Sequence, residues 1–246
     1  MKLIFPVVLI FLIAGCSPKD SDEVAGSDSQ VEEIVLKSIE KHGGISDWKK
    51  LKSISYNKIT VLFDSAGVRE SGIVQWHKYT LKPELEATIR WIENGDSIKI
   101  VYKNDKASKY VNGTLDSNSA DAAKSAVDAA MYVLFQPFKL MDEGTKLKYM
   151  GRDSLDGRAV YLVKPVYSVE QPGDDEWLFY FDASTNELIA NLVNHSGRRS
   201  FIKNLAFDPT ISLYLHQHRK SYFVDSAHDI QYLRAEYFYT NYKLAY

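Results

Sequence analysis

Residues 85–102, LEATIRWIENGDSIKIVY, alternate apolar and polar side chains on both sides of a turn. Leu85, Ala87, Ile89 and Trp91 fall on one face, with Glu86, Thr88 and Arg90 on the other. Asn94-Gly95-Asp96 supplies residues that accept a positive φ, the requirement of the tight turns that match strand twist. Ile98, Ile100 and Tyr102 then return with the same period. This stretch predicts an antiparallel hairpin with one apolar face, and such a face needs a cover.

The period of two extends outward in both directions. Ile59, Val61 and Phe63 precede the turn Asp64-Ser65-Ala66-Gly67, and residues 73–81 read as the next strand. Asn104-Asp105 turns the chain towards Tyr110. Further strands are expected at 160–162, 177–181, 188–192, 201–206, 211–215 and 232–242, with turns at Asp156-Gly157 and over 182–186. Two segments break the pattern. Val31, Ile34, Val35 and Ile39 lie at helical spacing and end at His42-Gly43-Gly44. Between 118 and 135, Ala122, Ala126, Ala129, Ala130, Val133 and Leu134 surround a polar stripe of Asp121, Lys124, Ser125 and Asp128, and Pro137 stops the helix. The expected fold class is α+β: a large antiparallel half-open β-barrel, with an N-terminal helix and an inserted helix covering its concave face.

The N-terminus carries a separate signal. Lys2 is followed by the unbroken apolar run 3–14, LIFPVVLIFLIA, which is shorter than the ~20 residues a spanning helix needs. Its length suits a secretory signal. Leu12-Ile13-Ala14-Gly15-Cys16 resembles the lipobox of bacterial lipoproteins, which implies a signal peptide over 1–15 and a diacylglycerol on Cys16. Cys16 is the single cysteine of the chain and has no disulfide partner within it. Residues 16–30 hold mostly Ser and acidic side chains and are expected to form a flexible tether. The expectation is a place in the bacterial cell envelope, on the outer membrane and on either its periplasmic or its surface face, with the membrane as a partner through the N-terminal lipid.

The helix that ends in His42-Gly43-Gly44, followed by Trp48 and by Leu51-Lys52-Ser53-Ile54 entering the first strand, resembles the opening of Lol-type lipoprotein carriers. Phe181-Asp182-x-x-Thr185-x-x-Leu188 is similar to a hairpin of the same superfamily, and the whole layout resembles a group of lipoproteins from Bacteroidota. The resemblance implies one carrier-like β domain over 31–246, with an apolar hollow that takes acyl chains.

Composition removes several alternatives. A formal net charge of −2 with no basic block argues against nucleic acid as a partner. No nucleophile elbow, phosphate-binding glycine loop or His-Glu-x-x-His helix occurs, so no enzymatic activity and no cofactor are expected. His216 and His218 at i and i+2 on a strand are a metal candidate, set against their forming a solvated face with Tyr214 and Lys220; zinc needs three or four ligands. Asp174-Asp175-Glu176 and Arg198-Arg199 read as solvated turn charges. The candidate lining of the hollow is Trp76, Trp91, Met131, Leu134, Phe135, Phe138, Leu140, Met141 and Trp177, which would otherwise be plain core. Two functions stay open: a membrane-anchored protein binding a lipid or other apolar small molecule, or an interaction module with a filled core that presents Tyr237, Tyr239 and Tyr242 to a protein or glycan.

Overall fold

The structure, a computed structural model, describes residues 28–167 and 175–246. Cys16, the 1–15 segment and most of the tether lie outside the described residues. Two helices come first, α1 (Asp28–Lys41) and α2 (Gly44–Lys50). Helix α1 therefore begins three residues earlier than the sequence pattern suggests, and Asp28 in its first turn favours that start through the helix dipole.

Thirteen strands then build one antiparallel sheet among the described residues. They are β1 (Ser53–Phe63), β2 (Arg69–Thr80), β3 (Glu86–Glu93), β4 (Asp96–Lys103), β5 (Lys106–Val111) and β6 (Thr114–Asp116), followed by β7 (Thr145–Leu155), β8 (Arg158–Tyr167), β9 (Glu176–Asp182), β10 (Leu188–His195), β11 (Arg198–Phe207), β12 (His216–Val224) and β13 (Ile230–Ala245). Each half is a meander, and the halves join where β1 pairs with β13. The free edges are therefore β6 and β7, which follow one another in sequence. Between them the chain forms α3 (Ala120–Leu134) and a 3-10 turn, Phe138–Met141. The sheet is not closed, as expected for a half-open barrel, and the insert lies across its opening. Both edges are blunted against pairing with other chains: β6 has only three residues, and β7 carries Lys146, Lys148, Gly151 and Arg152.

The predicted turns form where asparagine or aspartate adopts positive φ, with Asn94 at 52°, Asn104 at 52° and Asp156 at 49°. One expected strand is absent. Residues 211–215 alternate in the sequence but run as an irregular loop in which Leu213 and Leu215 are buried beside the end of α1. Strand β7 was not anticipated, because its charges and glycine mask the alternation.

One histidine fastens the helices to the sheet. His42 Nδ1 donates to Tyr214 O at 2.8 Å, and Nε2 accepts from Leu188 N–H at 3.2 Å. A carbonyl only accepts and an amide N–H only donates, so this pair fixes the neutral Nδ1–H tautomer. Burial holds His42 down at about 4, against the upward pull of the Tyr214 carbonyl. Gly43 follows at φ 110°, and a Cβ there would meet Ser212 O at 2.4 Å and Leu213 Cα at 2.9 Å. His42-Gly43 thus closes α1 directly onto the loop before β12. The hairpin of Phe181 to Leu188 meets the same point: Asp182 Oδ1 accepts from Ser184 and Thr185 N–H at 2.8 and 2.9 Å, and Leu188 supplies the N–H to His42.

The main core lies between the concave face and the helices, with Tyr56, Tyr79, Phe135, Phe138, Phe179 and Phe181 almost fully buried. A second cluster of Ala190, Leu192, Phe201 and Val224 sits on the convex face, where Leu155 of the β7–β8 hairpin packs over it. Lys203 holds that hairpin tip through Asp156 at 2.8 Å. Strand β10 is consequently buried on both faces from Leu188 to Leu192.

Two predictions follow from His42 and its neighbours. Gly43→Ala should lower stability by about 2–3 kcal/mol, read from the urea midpoint, because the added methyl overlaps backbone at a φ that L residues avoid. An unchanged midpoint would show that α1 does not dock as described. The second concerns pH. Burial depresses His42 to about 4 and His77 to about 3, and holds His216 well below its ordinary value. Unfolded histidines titrate near 6.5. The unfolded chain therefore binds more protons in this window, so stability is full above about pH 6.5 and falls as pH drops towards 4. Each histidine costs about 1.4 kcal/mol per pH unit. Denaturation at pH 7 and pH 5 tests this, and equal stability at the two values would refute it.

Candidate functional site

Helix α3 reaches the sheet through few side chains. Ala123 and Val127 bury against β4 and β5, and Leu134 buries at its far end. Ala122, Ala126 and Ala129 are exposed, so the apolar stripe is narrower than the alanine count of the sequence suggests. Beyond Leu134 the chain enters the core. Phe135 and Phe138 pack on Trp48 of α2, with ring centroids 4.7 and 5.1 Å apart. Leu134, Phe135, Phe138 and Leu140 are at most 1% exposed. These candidate lining residues therefore fill the space between lid and sheet instead of surrounding a hollow.

Open volume lies to one side, at the seam between α3 and strands β7 to β9. A cleft of about 500 Å³ is lined there by Leu85, Ala129, Met131, Tyr132, Val133 and Trp177. Its rim carries Lys124, Asp128, Lys139, Asp142, Glu143 and Asp175. Lys124 pairs with Asp128 at 2.6 Å, and Lys139 pairs with Asp142, so both rim cations are already neutralised. Tyr132 lies 5.1 Å from Trp177 between ring centroids, and its hydroxyl meets that of Tyr167. Burial raises the Tyr132 hydroxyl well above its ordinary range, with Tyr167 adding to the effect, so it stays a neutral donor. The result is an apolar floor beneath a polar, self-paired rim.

The remaining candidates separate. Met131 and Trp177 reach the cleft. Trp91 lies on the concave face but away from it, with Nε1 donating to Glu93 Oε2 at 3.4 Å. Met141 is 42% exposed at the end of the 3-10 turn. Trp76 is on the opposite face: it pairs across strands with Arg90, whose guanidinium stacks 3.9 Å from its ring centroid, while His77 and Tyr79 point inward. Trp76 therefore lines nothing on the concave side.

His216 and His218 do not converge. The β11–β12 register pairs Ala206 with His218 but Phe207 with His216, so Gln217 is an extra residue that bulges the strand. His216 turns inward, fully buried near Phe207 and Tyr239. His218 turns outward, stacked on Phe238 and bonded to Glu236 at 2.7 Å. The i, i+2 rule that put both on one face does not survive the bulge, for either a metal pair or a shared solvated face. Among the described residues no group of three His, Cys, Asp or Glu is arranged to hold a metal. Tyr239 and Tyr242 pack on Tyr56 inside the barrel, with centroids 5.9 and 5.4 Å away, and are not presented outward. Asp175 meets His195 at the cleft end of β9 and β10; Asp174 lies outside the described residues.

Sequence reasoning also missed a buried polar group. Arg219 on β12 is 2% exposed on the concave side, with Nε donating to Asn204 Oδ1 and Nη2 to Asn191 Oδ1, both at 2.8 Å. Arg219 alternates with Lys220 and His218, and nothing in that run tells a buried arginine from an exposed one.

No family model matches the sequence, and no curated protein matches it. Solved structures do match its fold. A LolA superfamily protein from Nitrosomonas europaea aligns with a TM-score of 0.56 at 12% identity, over 88% of this chain and 94% of that one. A putative outer membrane lipoprotein-sorting protein domain from Vibrio parahaemolyticus gives 0.54 at 9%, over 88% and 93%. A DUF1329 family protein from Desulfovibrio piger gives 0.53 at 9%, over 87% and 92%. The likeness is one of architecture: the chain has the open, helix-covered antiparallel barrel of LolA-type proteins.

Proposed function

We propose that this chain is an envelope lipoprotein, held on a membrane by lipids on Cys16, that takes up an apolar acyl-type ligand at the seam of its half-barrel. The observation that carries the reading is the cleft between α3 and β7 to β9. Its volume of about 500 Å³ falls within the range of small-molecule sites, and its apolar floor includes the adaptable Met131. The lid beside it rests on the small side chains Ala123 and Val127, which make a limited contact that a ligand can displace. Neighbours of the same fold that are named for lipoprotein sorting support the reading. So does the apolar run 3–14 ending at Gly15-Cys16. A carboxyl-rich rim whose cations are already paired suits a ligand bound through its chain at this point.

A filled interior favours a second reading, a docking module for a protein or glycan, because Leu134, Phe135 and Phe138 leave no hollow beneath the lid. Lipid recovery separates the two. The full chain purified without added lipid should yield acyl species by mass spectrometry. Ala129→Trp, a change at an exposed position that fills the cleft, should reduce the yield several-fold without altering thermal stability. Recovery of no lipid from the wild-type chain would favour the docking module. Recovery equal in the variant would place the ligand elsewhere. The anchor has its own check: labelled palmitate should enter the wild-type chain and not Cys16→Ser, and equal labelling would remove the lipoprotein assignment.

A further inference from the structure

A buried arginine normally sits opposite a carboxylate, because an unpaired charge away from water is expensive. Arg219 does not. Its two protein partners, Asn191 and Asn204, are neutral, and among the described residues no carboxylate lies within ion-pair distance of it. Of the five N–H donors of a guanidinium, Nε and one on Nη2 are used, which leaves Nη1 and the end-on edge. That edge has the fork geometry that matches two oxygens of a carboxylate or phosphate.

The surroundings repeat the pattern. Asn191 Nδ2 is buried beside the guanidinium with no partner, and the fully buried His216 lies close by against the Val133 backbone, held neutral by burial. A second cation faces the same space. Tyr237 is the cross-strand neighbour of Arg219, and the Lys58 ammonium stands 5.1 Å from the Tyr237 ring centroid, in no ion pair among the described residues. Lys58, Thr60 and Tyr237 are only half-buried, so this part of the concave face is not sealed by the helices. Two cations, one of them buried and oriented by two asparagines, stand in no ion pair among the described residues.

We propose that Arg219 receives the oxyanion head of the bound molecule, so that the ligand is an anionic amphiphile with a carboxylate or phosphate head and an acyl chain. The inference rests on the reading of the barrel as an apolar-ligand carrier and adds the head-group chemistry. Asn204 and Asn191 hold the guanidinium in place, and Lys58 adds attraction from the open side. Trp177 at the cleft floor is on β9 and Arg219 on β12, three strand spacings across; the register carries the Trp177 row to Phe223, four residues along β12 from Arg219, so the two lie about 20 Å apart. The head is reached from the half-buried side of the concave face, beside Lys58, Thr60 and Tyr237.

The test titrates the purified full chain with decanoate, decanol and inorganic phosphate, read by tryptophan fluorescence and calorimetry. Decanoate should bind at least about tenfold more tightly than decanol, as expected of a charge-assisted hydrogen-bonded pair. Arg219→Gln should erase that difference and leave decanol binding unchanged. Asn191→Asp gives the guanidinium an internal carboxylate; it should abolish the preference while raising the melting temperature, and it serves if Arg219→Gln fails to fold. Equal binding of decanoate and decanol by the wild-type chain, or a preference that persists in a folded variant, overturns the proposal. Phosphate binding lost in Arg219→Gln, with neither decyl compound bound, would keep the anion site and remove the acyl reading. Binding of none of the three removes both.

Discussion

The arrangement of helices on this sheet depends on one neutral imidazole. His42 ends α1, and its two ring nitrogens take one bond from the first residue of β10 and give one to the loop ahead of β12. Those partners lie far apart in sequence, so a single side chain sets the position of α1 against the C-terminal half of the barrel. Both bonds need the uncharged ring, since a protonated Nε2 would face the Leu188 N–H donor to donor. Gly43 completes the join, because any side chain there would strike the backbone of residues 212 and 213. From that point α2 leads into β1, and Trp48 presents its ring to the two phenylalanines that follow α3. The three helical segments are therefore positioned in series from one fixed contact.

Chain order does the rest. Because β1 and β13 pair in the middle of the sheet, the strands at its two borders are the ones that end the first meander and begin the second. The segment joining them has to cross the mouth of the barrel. Its first half is alanine-rich and makes little contact; its second half is bulky and drives into the core. The cleft forms where one behaviour gives way to the other, beside Met131 and Tyr132.

Much of this was legible in the sequence. Period-two alternation and the asparagine or aspartate turns gave the strands, and helical spacing gave α1 and α3. The His-Gly-Gly and Phe-Asp-x-x-Thr-x-x-Leu stretches pointed to the superfamily architecture, and in space they touch each other through His42 and Leu188. The site was less legible, for identifiable reasons. Alternation assigns residues to two faces but does not say which face is inner, so the pattern alone leaves Trp76 among the candidate lining residues although its neighbour His77 points inward. A one-residue bulge at Gln217 undid the parity argument for His216 and His218. Residues 211–215 alternate because Leu213 and Leu215 plug the end of the barrel, without strand pairing. Hydrophobicity marked Leu134, Phe135 and Phe138 as inward but carried no information on whether they border a void or occupy it. Arg219 gave no sign at all, since burial of a charged side chain is decided by partners on other strands.

The segment between β6 and β7 is attached at the two sheet borders and takes no part in strand pairing. Lengthening a connection of this kind costs little, because loop-closure entropy grows only with the logarithm of length. The framework and its cover are thus separable under mutation. Changes of length or sequence in the cover therefore leave the pairing of the thirteen described strands untouched.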